Sequence, residues 1–120
     1  MIINLTQHEA TPDQGESGVV EPAQERREAI RDLLTFIQKP TPCLILLRAE
    51  CLARIARKSG CKTAMIGGAP FLMSALERTL KLEGIQPVYA FSVRNSIEEP
   101  DGKGGVRKTN VFKHIGFVEV

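Results

Sequence analysis

The sequence predicts an α/β fold: a three-layer, Rossmann-like sandwich with a mostly parallel sheet and an antiparallel C-terminal edge strand, in one domain over residues 1–120. Short apolar runs, which suit strands covered on both faces, alternate with segments whose apolar residues repeat at helical spacing. The clearest unit joins the run Thr63–Ile66, the pair Gly67-Gly68 and a helix that begins at Pro70, where a missing N–H leaves no hydrogen bond unmade.

The amino-terminal part predicts a strand, a loop and a helix. Ile2–Thr6 is apolar and β-prone, and the turn-forming residues that follow predict a long polar loop over 8–20. Glu21 and Pro22 then predict the start of a helix that ends before Pro40. Its apolar face consists of Ala23, Ile30, Leu33, Leu34 and Ile37.

The segment Cys43–Ser59 supports two interpretations. Its first five residues have the composition of a buried strand, but apolar residues keep helical spacing across the whole segment. These residues are Leu44, Leu47, Cys51, Leu52 and Ile55. Thr41 is suited to cap a helix at its start and Gly60 to end it. We predict one helix; a strand at Cys43–Leu47 is the alternative.

Two strands are predicted at the carboxyl end. Pro87–Arg94 is an apolar and aromatic run typical of an interior strand. A glycine-rich turn at 99–105 follows, and Val106–Val120 predicts an antiparallel return along the sheet edge.

Composition excludes several classes of protein. The net charge of +2 gives no strongly basic surface for duplex nucleic acid, and no apolar run is long enough to span a bilayer. Without a basic leader at the amino end, we expect a cytoplasmic protein that does not associate with membranes. Cys43, Cys51 and Cys61 lack the spacing of a disulfide framework or zinc site, so we expect core-filling cysteines and no metal or cofactor.

The predicted strand ends favour a ligand site. In parallel sheets, ligands bind outside the carboxyl ends of the strands, which here carry Thr6–His8, Gly67-Gly68 and Ser92–Arg94. A helix starting beyond Gly68 directs free N–H groups, including that of Ala69, toward a phosphate or carboxylate. The alternative is that the glycines only form a tight turn.

Four side chains are candidates for chemistry at that site. His8 is a candidate general acid or base, or else a loop histidine bonded to the backbone. Arg94 suits bidentate binding of phosphate. Lys113 and His114 reach the same edge if the last strand lies beside Pro87–Arg94; otherwise the basic residues of that strand only discourage strand aggregation.

The segment Asn4–Gln14, NLTQHEATPDQ, resembles the start of small CRISPR-associated proteins related to CARF domains, several of which are ring nucleases. The later blocks AMIGGAPFLMSALE, YAFSVRNS and FKHIGFVEV are similar to a small uncharacterised family of phage and bacterial proteins. The first resemblance implies ligand-binding roles for Asn4, Gln7, Thr11 and Gln14, although Gln7 is an extra residue before the histidine of the pattern.

The resemblance further implies a homodimer that binds a cyclic oligoadenylate across its two-fold axis. Members that cleave the ring do so without metal, by attack of a ribose 2′-hydroxyl on the adjacent phosphate, and His8 and Arg94 are then the catalytic candidates. We therefore predict binding of a nucleotide or other phosphate-bearing ligand, with ring cleavage as a further activity. The alternative is a non-catalytic interaction protein without a small-molecule ligand.

Overall fold

The computed structural model describes residues 1–120 and contains one five-stranded sheet in the order β2-β1-β3-β4-β5. The elements are β1 (Ile2–Asn4), α1 (Pro12–Glu16), β2 (Val19–Val20), α2 (Gln24–Leu34), α3 (Pro42–Ser59), β3 (Thr63–Met65), α4 (Pro70–Leu82), β4 (Gln86–Pro100) and β5 (Val106–Glu119). The first four strands are mutually parallel and β5 is antiparallel to β4. The predicted α/β fold with a mostly parallel sheet and an antiparallel edge is confirmed. None of the helices is long and apolar enough to cross a membrane.

The main core lies on one face of the sheet. Ile3, Ala64 and Ile85 on that face are buried against α2, α3 and α4. Because side chains alternate along a strand, their neighbours Met65 and Val88 point to the other face and form a smaller cluster. The short α1 contacts β2 and β5, the two outer strands of the sheet.

The helical interpretation of Cys43–Ser59 is confirmed. Thr41 Oγ1 accepts a hydrogen bond from the N–H of Leu44 at 3.2 Å, and Gly60 ends α3 in the left-handed region at φ 78°. The buried face differs from the predicted stripe, because small residues let α3 pack closely while Leu47 is exposed. That face is formed by Ala49, Leu52, Ala53 and Ala56. The expectation of core filling was wrong for Cys43, which is exposed.

The predicted loop over 8–20 contains two regular elements, α1 and β2. Thr11 and Gln14 form a reciprocal capping box, in which each side chain accepts from the other residue's N–H, at 3.2 and 3.0 Å. This local bonding stabilises a turn of helix among residues that otherwise favour turns. The two-residue β2 is too short for its own pattern to identify.

The predicted end of α2 was wrong. The helix stops at Leu34, and Ile37 is 91% exposed instead of lying on the apolar face; Ala23, also predicted there, is exposed at the N-cap. Arg48 on α3 donates to the carbonyls of Asp32 and Leu33 and so satisfies the helix end from another element.

β4 is longer than predicted and leaves the sheet. Only Gln86–Val88 pairs with β3, so the strand is interior over three residues, and from Tyr89 to Pro100 it pairs with β5 alone. A register shift between Phe91 and Ser92 marks where the hairpin leaves the body. We call residues 91–115 the arm.

Candidate functional site

A hollow of about 630 Å³ opens at the carboxyl ends of the parallel strands. β1 and β3 are neighbours in the sheet, and the chain continues from β1 to β2 on one side and from β3 to β4 on the other. The loops that follow β1 and β3 therefore leave the sheet in opposite directions at this point. Doubly wound sheets bind ligands at such a switch point. The lining consists of Thr6, Gln7, His8, Glu9, Thr11, Gln14, Leu34, Met65, Ile66, Gly67, Gly68, Ala69, Tyr89 and Ala90.

One wall is the loop after β1, which a buried side chain holds in place. Asn4 is 2% exposed; its Nδ2 donates to the carbonyl of His8 at 2.8 Å and to Glu21 Oε1 at 3.0 Å. Its Oδ1 accepts from the N–H and the hydroxyl of Thr6, at 2.9 and 2.7 Å. Glu21 in turn accepts from Arg27 at 2.7 Å. Asn4 thus fixes the loop from beneath the hollow, and its hydrogen-bonding groups are occupied by protein.

The opposite wall is the amino end of α4, where backbone donors are free. The N–H groups of Gly67, Gly68, Ala69 and Phe71 have no acceptor within the protein, and Pro70 has no N–H. The N-cap, Ala69, has no side-chain oxygen to satisfy any of them. Unpaired donors at the positive end of a thirteen-residue helix form an environment suited to an anion.

Gly68 permits the close packing behind this wall. Its φ is 156°, and a Cβ at this position would lie 3.3 Å from Met73 Cε and 3.5 Å from Leu34 Cδ2. At Gly67 a Cβ would meet only Thr6 Cγ2, at an ordinary 3.6 Å. The two glycines therefore differ: Gly68 has a backbone conformation that side chains rarely adopt and little room for a Cβ, whereas Gly67 has ordinary space for one.

The remaining lining is mostly apolar and carries little charge. His8 and Glu9 are exposed, and the lining contains no lysine or arginine. Tyr89 donates its phenolic hydrogen to Glu77 Oε2 at 2.7 Å. Burial, this hydrogen bond and the carboxylate charge together raise the pKa of Tyr89, so the phenol stays neutral and donating.

The structure brings together eight of the predicted site residues. Thr6, Gln7, His8, Thr11, Gln14, Gly67, Gly68 and Ala69 all line the hollow. The Thr11 and Gln14 side chains also form the cap of α1, and Gln7 Nε2 donates to Thr35 at 3.4 Å.

The other predicted residues on β4 and β5 lie on the arm, outside the lining. Ser92 and Arg94 were expected at a strand end, but β4 continues to Pro100, so both are in mid-strand. Arg94 lies over the ring of Phe112, 5.3 Å from its centroid, and Lys113 is exposed. The expectation that Arg94 shares one hollow with Thr6 and Gly68 was therefore wrong.

His114 faces a different environment from the one predicted. Its ring packs edge-on against Phe117 at 4.9 Å between centroids, and both ring nitrogens are buried without a hydrogen-bond partner. Across the strands it is opposite Ser92, on the arm.

Several lining residues were not anticipated from the sequence. Tyr89 and Ala90 directly follow Val88, the last residue of β4 that pairs with β3, so knowledge of that boundary would have identified them. Leu34 reaches the hollow from the end of α2, which no local pattern connects with the strand ends.

A comparison with protein families matches residues 1–118 to the uncharacterized protein MJ1673 family. The chain belongs to this family. The match covers both walls of the hollow and the whole arm. No curated protein and no solved structure matches the chain. The family description names no activity, ligand or partner, and it makes no connection with CARF domains or ring nucleases.

Proposed function

We propose that the hollow binds a small phosphate-bearing ligand of the nucleotide class. The observation that carries the proposal is the set of unpaired N–H groups of Gly67, Gly68 and Ala69, which line the hollow just before α4, together with that of Phe71 in the first turn of the helix. Such donors bind a phosphate without any side-chain cation, because the helix dipole adds to their partial charge.

The rest of the hollow is suited to the less polar part of a nucleotide. Its volume of about 630 Å³ falls within the range of small-molecule sites, and Leu34, Met65 and Tyr89 give it an apolar side. Since no lysine or arginine lines it, one phosphate is favoured over a triphosphate chain.

Binding is better supported than cleavage. His8 lines the hollow, where it is available as a proton carrier, but Arg94, the expected phosphate-stabilising catalytic residue, lies on the arm. Cyclic oligoadenylate binding and metal-independent ring cleavage remain predictions from the resemblance.

A proline substitution tests the proposal with little change of shape. Ala69 has φ −60°, the angle that proline fixes, so Ala69→Pro removes one N–H donor and is compatible with the N-cap backbone. We expect affinity for adenosine monophosphate to fall about tenfold or more, since a hydrogen bond to a charged group contributes roughly 1.5–3 kcal/mol.

Ala23→Pro is the matched control. Ala23 is the N-cap of α2, with φ −58°, and does not line the hollow. Calorimetric titration of both variants with adenosine monophosphate, adenosine, inorganic phosphate and cyclic oligoadenylates measures the contribution of the phosphate. Absence of heat with every phosphate compound, or equal binding of adenosine and its monophosphate, would overturn the proposal.

The arm favours a second candidate function. Residues 91–115 extend from the body with Phe91, Phe112 and Ile115 exposed, which is typical of a surface that meets another protein. A purely interacting protein would keep its partner after His8→Ala, since His8 lies outside the arm, and would give no heat with any nucleotide. Pull-down with this variant beside the titration separates the two functions.

A further inference from the structure

The arm is a two-stranded hairpin with many exposed apolar side chains. Beyond Tyr89, β4 has β5 as its only neighbour, and apolar side chains are exposed along both strands. They are Phe91, Ile97, Val106, Val111, Phe112 and Ile115. A two-stranded hairpin alone is marginally stable in water, and open apolar strand edges pair with other chains. The arm therefore needs a neighbour along one of its edges.

The outer edge of β5 offers little charge complementarity to a second copy. Its charged residues are almost all basic, Arg107, Lys108 and Lys113 among them. Antiparallel pairing about Asn110, for example, would place Arg107 opposite the partner's Lys113. Like charges directly opposite one another destabilise a sheet.

The free edge of β4 has the opposite character. The N–H of Gln86 donates to the Lys62 carbonyl and the Val88 carbonyl accepts from Ile66, so these even-numbered residues direct their backbone groups away from β5. The register shift after Phe91 leaves Ile115 of β5 unpaired, so the alternation continues unchanged along β4. Along the arm these residues are Ser92, Arg94, Ser96 and Glu98. They present unpaired N–H and C=O groups next to one cation and one anion.

We propose that two copies of the chain pair antiparallel along this β4 edge, with Ser96 opposite Ser96 of the partner subunit. In this register Arg94 is opposite the partner's Glu98, and two-fold symmetry repeats the pair. Neither residue forms an ion pair within its own chain. Registers centred on Arg94 or on Glu98 would instead place like charges together, and those centred on Asn95 or Ile97 would place both charges opposite uncharged residues. Only the register about Ser96 pairs opposite charges.

This pairing brings a cation to the hollow. The partner's Pro100 is opposite Ser92, so the turn at 101–105 of the partner subunit lies beside Tyr89 and Ala90, which line the hollow. Ser92 is four positions beyond Val88, about 13 Å along a strand, so the turn reaches the β4 edge beyond the end of β3. The turn carries Lys103.

The dimer has two separate hollows. Each lies about 20 Å along β4 from the two-fold axis, since Ala90 is six residues from Ser96. One ligand therefore binds to each subunit, in contrast to a single ring on the axis. The role of Lys103 rests on the proposed function; the dimer itself does not.

Charge reversal tests the register. Light scattering and sedimentation equilibrium should give twice the 13.2 kDa of one chain. We expect Arg94→Glu or Glu98→Arg to raise the dimer dissociation constant about tenfold, because each weakens two symmetric pairs, and the double variant to restore it. Lys113→Glu is the control, since this exposed cation of the arm has no opposite charge in the proposed register. A monomer at all concentrations, or no rescue in the double variant, would overturn the proposal.

Cross-linking identifies the edge. Ser96→Cys, in a Cys43→Ser background that removes the exposed thiol, should give a covalent dimer on mild oxidation, because residues opposite one another across a ladder have Cα atoms about 5.5 Å apart. Asn110→Cys, which is opposite Ser96 on β5, should not. A cross-link through Asn110→Cys alone would assign the interface to the other edge and refute the proposal.

Lys103→Ala tests ligand binding separately from dimer formation. Sedimentation should be unchanged while affinity for adenosine monophosphate falls, at one ligand per subunit. An unchanged affinity would refute the contribution of Lys103. A dimer that binds no nucleotide would refute the proposed function and leave the pairing established.

Discussion

Asn4→Asp is the sharpest test of how the hollow is built. The substitution preserves the shape of a buried side chain and keeps the oxygen that accepts from Thr6, but it replaces a donor with an acceptor. The lost donations go to the His8 carbonyl at 2.8 Å and the Glu21 carboxylate at 3.0 Å. The new carboxylate then faces two acceptors, one of which carries a full negative charge.

The expected loss of stability follows from these contacts. The donation to a neutral carbonyl contributes about 1 kcal/mol and the one to a charged carboxylate about 2 kcal/mol, so we expect a loss of about 3 kcal/mol before repulsion. Arg27, 2.7 Å from Glu21, offsets part of that repulsion. The sum is a large part of the stability of a typical domain.

The loss should depend on pH. Burial and the neighbouring Glu21 raise the pKa of the new carboxyl above its ordinary value, because both disfavour the charged form. Below the ordinary pKa the group is protonated in both folded and unfolded states and donates again, whereas as pH rises through the folded pKa the destabilisation grows. The variant should thus be closest to wild type in acid.

Urea denaturation at about pH 5 and about pH 8 measures both effects. Asn110→Asp, the same change at an exposed position that accepts from Ser96 at 3.0 Å, should stay within about 0.5 kcal/mol of wild type. If Asn4→Asp is as stable as this control at about pH 8, or if its deficit is the same at both pH values, Asn4 does not hold the loop as described.

Three further predictions have defined outcomes. Gly68→Ala should lower the free energy of unfolding by about 1 kcal/mol, measured by thermal unfolding, because its φ of 156° is strained for a residue with a Cβ and that Cβ would lie 3.3 Å from Met73 Cε. Gly67→Ala should be nearly neutral, and equal effects of the two substitutions would contradict this difference. Tyr89 is the only tyrosine, so phenolate absorbance reports its ionisation alone, and its raised pKa predicts titration above the ordinary 10.0. The stabilisation by its hydrogen bond, measured against Tyr89→Phe, should be fully present below pH 10.0 and should be lost as pH rises through the pKa of the folded state. His114→Leu should increase stability by about 1 kcal/mol in urea denaturation, since it removes two buried nitrogens without partners; a loss would reveal a partner for the imidazole.

Elements whose signals are local were predictable. α3 has its own N-cap at Thr41, a C-terminal glycine at Gly60 and apolar residues at helical spacing between them. These local features predicted a helix even though the first five residues have the composition of a strand. The end of α2 was not predictable, because the guanidinium that satisfies its last carbonyls comes from Arg48 on another helix. The same contrast holds in the hollow, where glycines at the strand end were recognised but Leu34 was not.

Arg94 was placed wrongly because β4 extends beyond its neighbour β3, and the same extension forms the arm. An apolar run shows that a strand exists, but its pairing ends where its neighbour ends, and β3 stops opposite Val88 while β4 continues. The N–H donors suited to an anion are therefore at the amino end of α4, whereas the cations that were expected beside them are on the arm. In one subunit the hollow contains no lysine or arginine. Pairing along the β4 edge would place a cation, Lys103 of the partner subunit, beside the hollow, whereas Arg94 lies too far along β4 to reach it.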